Sequence, residues 1–227
     1  LQDVISNMPI PPRYLAKFNE NGIYHVYNRT NNRELLFRSS ENYLFFLRKY
    51  DAYLHSILDT FSWCLLPNHF HLLVRIKTET DICKYIQAKE YKLQTTSEKL
   101  FLDKKLLLTE LVERAFKRLF QSYSQAFNKM YNRQGNLFYK PFKRIEVDRD
   151  SQFTQAVVYI HANPLKHQLV NDFSSYKWSS WKSILSESPT RLLRKELLDW
   201  FGGKDLFIKT HLDLSQYYYN SDLAIED

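Results

Sequence analysis

Apolar and polar positions alternate with period two over Gly22-Ile-Tyr-His-Val-Tyr-Asn-Arg-Thr30, and the polar run Asn31-Asn32-Arg33 follows. This pattern predicts a β-strand closed by a turn. Over residues 40–57 the spacing changes: Tyr43, Phe46, Leu47, Tyr50 and Leu54 predict a helix, with Ser39 or Ser40 as its N-cap. Residues 61–66 and 70–76 are short apolar runs that read as two strands joined by a turn at Pro67-Asn68. The order so far is strand, helix, strand, strand.

Residues 78–107 are charged and weakly periodic, so one short helix and then a surface excursion are expected there. A long helix is predicted from Thr109, an N-cap with Glu110 and Glu113 behind it. Its apolar stripe is Val112, Phe116, Leu119, Tyr123, Phe127 and Met130, with Arg114, Lys117, Arg118 and Lys129 off the stripe. Gly135 closes this region, and residues 137–147 read as a further strand. Residues 151–163 read as another helix, turning Phe153, Ala156, Val157 and Ile160 to the core. It is expected to stop near Asn163, because Pro164 disfavours helical geometry in the residue before it. Residues 191–201 form a short amphipathic helix stopped by Gly202-Gly203, and the remainder reads as a polar, irregular tail.

With 44% hydrophobic and 16% aromatic residues, the chain of 227 can bury a real core, which argues against disorder. No run of ~20 apolar residues is present to span a membrane. Cys64 and Cys83 are the only cysteines. Cys64 lies in an apolar run and is expected to be buried and reduced, as suits the cytosol. A net charge of +7 has the sign that a polyanionic partner requires, and equally that of a merely soluble basic protein.

Candidate chemistry starts at His69-Phe70-His71. On a strand, residues two apart share a face, so both imidazoles point one way and Phe70 the other. Two nitrogen donors make half of a metal site. Zinc held by Cys64, His69, His71 and Cys83 is a weak alternative, since paired C-x-x-C spacing is lacking. On the helix over 151–163, Tyr159 and Asn163 are one turn apart, with small Ala156 beside them. A phenol and a carboxamide set over two imidazoles would suit attack on a phosphodiester, the metal polarising a phosphoryl oxygen while the tyrosine oxygen attacks. Tyrosine, with an ordinary pKa near ~10, needs such assistance, and the histidines suit ligation better than base catalysis. Ordinary packing is the plain alternative for each of these residues.

The runs Tyr24-His-Val-Tyr-Asn-Arg29, Pro67-Asn-His-Phe-His-Leu-Leu-Val74, Gly135-Asn-Leu-Phe138 and Tyr159-Ile-His-Ala-Asn-Pro-Leu-Lys-His-Gln-Leu-Val170 occur in that order, closed by Tyr176-Lys-Trp-Ser-Ser180. Over about residues 20–182 this series resembles the HUH-type single-strand tyrosine transposases, most of all the branch of REP-associated tyrosine transposases. The resemblance implies an α+β fold: a ferredoxin-like antiparallel sheet with helices packed on it. It implies a metal-dependent endonuclease and strand transferase, acting in DNA transposition on single-stranded DNA beside palindromic hairpins through a 5′-phosphotyrosine intermediate. Tyr159 then matches the nucleophile, His69 and His71 the histidine pair, and Asn163 the third ligand. The cofactor implied is a divalent metal, Mg²⁺ or Mn²⁺. Two imidazoles and an amide are softer than the all-oxygen sets magnesium prefers, so weak binding is expected, with Mn²⁺ serving at least as well.

Arg29, Arg33, Arg75, Lys140, Lys143, Arg144, Lys166 and His167 are expected DNA contacts, chiefly to phosphates. Tyr27, Phe138 and Tyr139 could stack on unpaired bases. His161, two positions after Tyr159, is expected to pack or to contact DNA, and Tyr217, Tyr218 and Tyr219 are alternative nucleophiles only in principle. The expected organisation is a nuclease domain over 1–182 with an insertion around 78–107, and a C-terminal helical extension and tail over 183–227. The expected setting is cytoplasmic and nucleoid-associated, the protein a monomer or a homodimer. A hairpin-DNA-binding protein that has lost its nuclease, and a metallohydrolase of small phosphoesters, are the competing functions.

Overall fold

A computed structural model describes residues 11–220, with Arg33 and residues 216–220 described through their backbone alone. Strands β1 (Ile23–Arg29), β2 (Leu58–Leu66), β3 (His69–Ile76) and β4 (Lys143–Glu146) form one antiparallel sheet in the order β2-β3-β1-β4. Between β1 and β2 runs α1 (Ser40–Leu54), and between β3 and β4 run α2 (Glu79–Gln87), α3 (Thr96–Leu102) and α4 (Leu108–Met130). After β4 come α5 (Asp150–Lys166), α6 (Trp181–Leu185), α7 (Arg194–Trp200) and α8 (Lys204–Asn220). Among the described residues no helix is long and apolar enough to cross a membrane.

Strand alternation divides the core in two. Tyr24, Val26, Phe70, Leu72, Val74 and Ile76 turn to one face, where they pack with α1 and α4 in a cluster dense in aromatic rings. Leu73, Cys64 and Leu66 turn to the other face, where Val157, Val158 and Ile160 of α5 cover them, and Phe207 of α8 joins the same cluster. A bulge between Thr60 and Ser62 in β2 lets Phe61 join this second face as well. The edge of β2 is covered: Leu65, Ser180 and Leu193 amides bond to Trp178, Trp63 and Thr60 carbonyls at 2.8–2.9 Å.

Several expected elements differ in the structure. Residues 78–107 hold a second helix, α3, opened by a capping box between Thr95 and Glu98, and Ile82, Ile86 and Phe101 belong to the main core. Thr109 is not the cap of α4: the helix begins at Leu108, Glu110 accepts from the Leu107 amide, and Thr109 Oγ1 accepts from the Phe18 amide at 3.1 Å. Met130 is 62% exposed, off the stripe. The strand expected over 137–147 is shorter, because Pro141 has no N–H for the ladder; only residues 143–146 pair, with one isolated bridge from Phe138 to Thr30.

α5 does not stop before Pro164. It runs on to Lys166, and the His167 amide bonds to the Asn163 carbonyl at 3.0 Å. The proline removes the bond to the Ile160 carbonyl and crowds that carbonyl, and packing outweighs the loss. Residues 157–164 are buried all round, because the sheet lies on one side of α5 and α8 on the other. The tail expected to be irregular is the helix α8; Tyr217, Tyr218 and Tyr219 lie on it, with side chains outside the described residues.

α5 and α8 are joined by a buried chain of hydrogen bonds. His211 Nδ1 lies 2.8 Å from the Phe207 carbonyl, which only accepts, so His211 carries its proton there and accepts at Nε2. His161 Nδ1 donates to that nitrogen at 2.9 Å, and its Nε2 accepts from Ser180 Oγ at 2.8 Å. Ser180 Oγ in turn accepts from the Trp63 amide at 2.9 Å. The chain closes with both rings neutral. His161 therefore serves packing, not DNA. Burial drives His161 well below the ordinary 6.5, with His211 adding to the effect, and brings His211 down to about 4.

The unfolded chain takes up the His211 proton near 6.5 and the folded chain only near 4, and His161 shifts in the same direction, so stability is lost as pH falls through that window. Urea unfolding between pH 7.5 and 4.5 is expected to show about 2–3 kcal/mol of loss from His211 alone, and a shallower profile in His211→Leu. Parallel profiles for the two proteins would contradict the neutral assignment.

Candidate active site

Register builds the site. Pairing of β1 with β3 sets Tyr27 opposite His71 and Arg29 opposite His69, and β4 adds Lys143 opposite Tyr27. By alternation His25, Tyr27 and Arg29 share the α5 face with His69, His71 and Lys143. The ring centroids of His69 and His71 are 5.2 Å apart. Tyr159 meets His71 and His25 edge-on, at 5.7 and 5.9 Å between centroids. Within one chain, therefore, the Tyr159 ring meets that of His71.

Asn163 stands one turn beyond Tyr159 and is fully buried. Its amide nitrogen donates to the Tyr159 carbonyl at 3.2 Å, which fixes which end of the carboxamide is oxygen. The oxygen, Oδ1, is buried and accepts no hydrogen bond among the described residues. A buried acceptor without a donor is costly, and a cation is one way to satisfy it. Continuation of α5 past Pro164 brings Lys166 Nζ to 5.5 Å from the Tyr159 ring centroid and the His167 ring to 4.7 Å from that of His69. In front of the histidines lies a cavity of about 140 Å³, lined by Tyr27, Arg29, Asn68, His69, His71, Tyr139, Lys143 and His167 among others.

The donor set fits a divalent ion: two imidazoles and an amide oxygen are adequate, if soft, ligands. Among the described residues no three histidine, cysteine, aspartate or glutamate side chains gather as a metal-binding group. The zinc alternative fails on position. Cys64 is buried in the cluster under α5, while Cys83 packs on the opposite side of the sheet, and neither is in a disulfide.

Of the expected DNA contacts, Arg29, Lys143 and His167 line the cavity and Lys166 borders Tyr159. Lys140 is exposed nearby, bonded to Asn136 at 3.3 Å, and the side chain of Arg33 lies outside the described residues. Two are committed elsewhere. Arg144 is opposite Val26 on the other face, where it is buried, ion-paired with Glu113 and bonded to the Ala16 carbonyl at 2.7 Å. Arg75 shares the site face but sits farther along β3, paired with Glu196 at 2.6 Å and Asp59 at 3.8 Å. Phe138 is buried in the main core and does not present a ring for stacking, whereas Tyr139 is half-buried under Arg29. Ala156 packs against the second cluster.

Sequence reasoning missed His25 and Asn68. His25 Nε2 lies 2.9 Å from His71 Nδ1, and Asn68 Oδ1 lies 2.6 Å from His69 Nδ1. Alternation along β1 carried the signal for His25, which shares a face with Tyr27.

Four antiparallel strands in the order 2-3-1-4, with helices on both faces, define an α+β fold built on a ferredoxin-like antiparallel sheet. No family model matches the chain, and no curated protein matches its sequence. Among solved structures it is similar to a REP-associated tyrosine transposase bound to a REP hairpin, with a TM-score of 0.50 and 16% identity, over 80% of this chain and 89% of that one. At that identity the likeness establishes the fold.

Because Arg144 is buried with Glu113, Arg144→Ala is expected to cost about 2–4 kcal/mol in urea unfolding, while Lys143→Ala, its neighbour on the cavity side, costs less than about 1 kcal/mol. Equal costs would contradict the division of these two residues between the faces.

Proposed function

We propose that this protein is a metal-dependent single-stranded DNA endonuclease and strand transferase that recognises hairpin DNA and acts in DNA transposition. One observation carries the reading: the Tyr159 ring stands 5.7 Å from that of His71, with the unpartnered Asn163 oxygen one helical turn away. The fold, similar to that of a transposase whose structure holds a REP hairpin, supports the same partner here. His69, His71 and Asn163 would hold the ion. When bound, a divalent ion such as Mn²⁺ or Mg²⁺ supplies Lewis-acid polarisation of a phosphoryl oxygen.

This chain's residues do the rest. Tyr159 Oη attacks phosphorus, gives up its proton to water, and forms the phosphotyrosine bond to the 5′ side. The bond from phosphorus to the 3′ oxygen breaks, and that oxygen takes a proton from water as the free 3′-hydroxyl. Lys166, near the phenol, favours the negative charge developing on its oxygen. Arg29, Lys143 and His167 at the cavity contact phosphates, and Tyr139 offers a face to an unpaired base.

A second reading, a hairpin-binding protein without nuclease activity, draws on one fact: Tyr159 is 2% exposed. One gel separates the two. A labelled hairpin with a single-stranded flank, incubated with the protein and Mn²⁺, is run under denaturing conditions. Wild type is expected to give a covalent protein–DNA adduct, lost on chelation. Tyr159→Phe is expected to give no adduct while holding the hairpin within about threefold of wild-type affinity, since phosphate contacts dominate binding. An adduct that persists in Tyr159→Phe removes Tyr159 as the nucleophile, and no adduct from wild type favours the second reading.

A further inference from the structure

We propose that His25 and Asn68 are positioning residues that hold the protons of His71 and His69 on Nδ1, so that each imidazole turns a lone pair at Nε2 toward a divalent cation. The inference rests on the metal reading given under the proposed function. It adds two residues which act through the ligands without touching the ion.

A neutral imidazole has one N–H and one lone pair, and it binds a metal only through the lone pair. The hydrogen bond made by the other nitrogen decides which is which. In water the side chain favours the proton on Nε2, the wrong arrangement for ligation through that atom. Each candidate ligand has a neighbour that reverses this preference.

For His69 the neighbour is Asn68, with Oδ1 2.6 Å from Nδ1. A carboxamide oxygen only accepts, so the ring proton belongs on Nδ1. The turn that bears Asn68 is held from outside. Its backbone carbonyl accepts from the Thr30 amide at 3.0 Å, and the Pro67 carbonyl accepts from the Leu36 and Phe37 amides at 2.6 and 3.0 Å. Asn68 is thereby set before any ion arrives, as a rigid support for its neighbour.

For His71 the neighbour is His25, diagonal to it across the β1–β3 ladder, with Nε2 2.9 Å from His71 Nδ1. One proton lies between these two nitrogens. If His25 held it, His71 would keep its own hydrogen on Nε2 and could not ligate there. If His71 holds it, Nε2 bears the lone pair. His71 is fully buried and His25 is 4% exposed, so no bulk water substitutes for this acceptor. An acceptor at position 25 is therefore the requirement, and a side chain such as glutamine meets it.

The test uses the full chain labelled with ¹⁵N-histidine, without metal and without DNA, in long-range proton–nitrogen spectra at pH 8. His69 and His71 are expected to carry hydrogen on Nδ1, and Asn68→Ala is expected to return His69 to the Nε2–H form. Mn²⁺ titration follows on the same proteins. Asn68→Ala and His25→Phe are expected to weaken binding about 10- to 100-fold, the usual effect of losing an outer-shell partner, and His25→Gln to restore most of it. Wild-type rings protonated at Nε2, or unchanged Mn²⁺ affinity in Asn68→Ala, would overturn the proposal. Asn68 lies in a partly exposed turn, so its variant remains a decisive comparison even if His25→Phe fails to fold. Nδ1–H rings in a wild-type protein that takes up no Mn²⁺ would keep the proton assignment and overturn the metal reading instead.

Discussion

The register of β3 between β1 and β2 is the constraint on which the rest of the molecule depends. Side chains on a strand change face at every residue, so a slip of one position would carry His69 and His71 into an aromatic core and bring Phe70 out beneath α5. Phe70 opposes that slip. Its ring lies 5.1 Å from Phe46, 5.8 Å from Phe120 and 6.3 Å from Phe138, and a buried phenylalanine contributes roughly 1.5–3 kcal/mol. Imidazoles placed there would lose their polar partners, at a further cost of about 1–3 kcal/mol each. Chemistry on one face is thus held in place by packing on the other.

The second requirement is that α5 lie across that face at a fixed height. It does so because it is covered twice, by the sheet and by α8, and because His161 ties it through Ser180 to β2 and through His211 to α8. Such a helix orients Tyr159 and Asn163 well. It also leaves Tyr159 only 2% exposed, while His167 at the end of the helix lines the cavity in front of the histidines. Pro164 does not cut the helix short, because the burial of residues 157–164 outweighs both the hydrogen bond lost to the Ile160 carbonyl and the crowding of that carbonyl by the ring.

Much of this was legible in the chain itself. Period-two alternation located β1, short apolar runs around a turn located β2 and β3, and the two-residue period of a strand assigned His69, Phe70 and His71 to their faces. Helical spacing located α1, α4, α5 and α7. The errors share a cause: local signals were read where tertiary packing decides. The rule for residues before proline gave way to a buried α5, and the tail gave way to α8, whose buried positions Phe207 and His211 are too sparse to stand out in sequence. Arg144 is the instructive case. Its neighbour Lys143 and it cannot both face the site on one strand, so alternation alone excluded one of them, and the pair with Glu113 shows which. His25 and Asn68 carried no motif of their own; their part depends on a diagonal contact and a turn that appear only once the strands pair.

The most direct test of the account is a crystal of the protein soaked in Mn²⁺, with the ion located by its anomalous scattering. The expected result is one strong peak within roughly 2.0–2.3 Å of Nε2 of His69 and of His71, with Asn163 Oδ1 as a third ligand. An ion bound elsewhere, or bound by the histidines with Asn163 turned away, would contradict it.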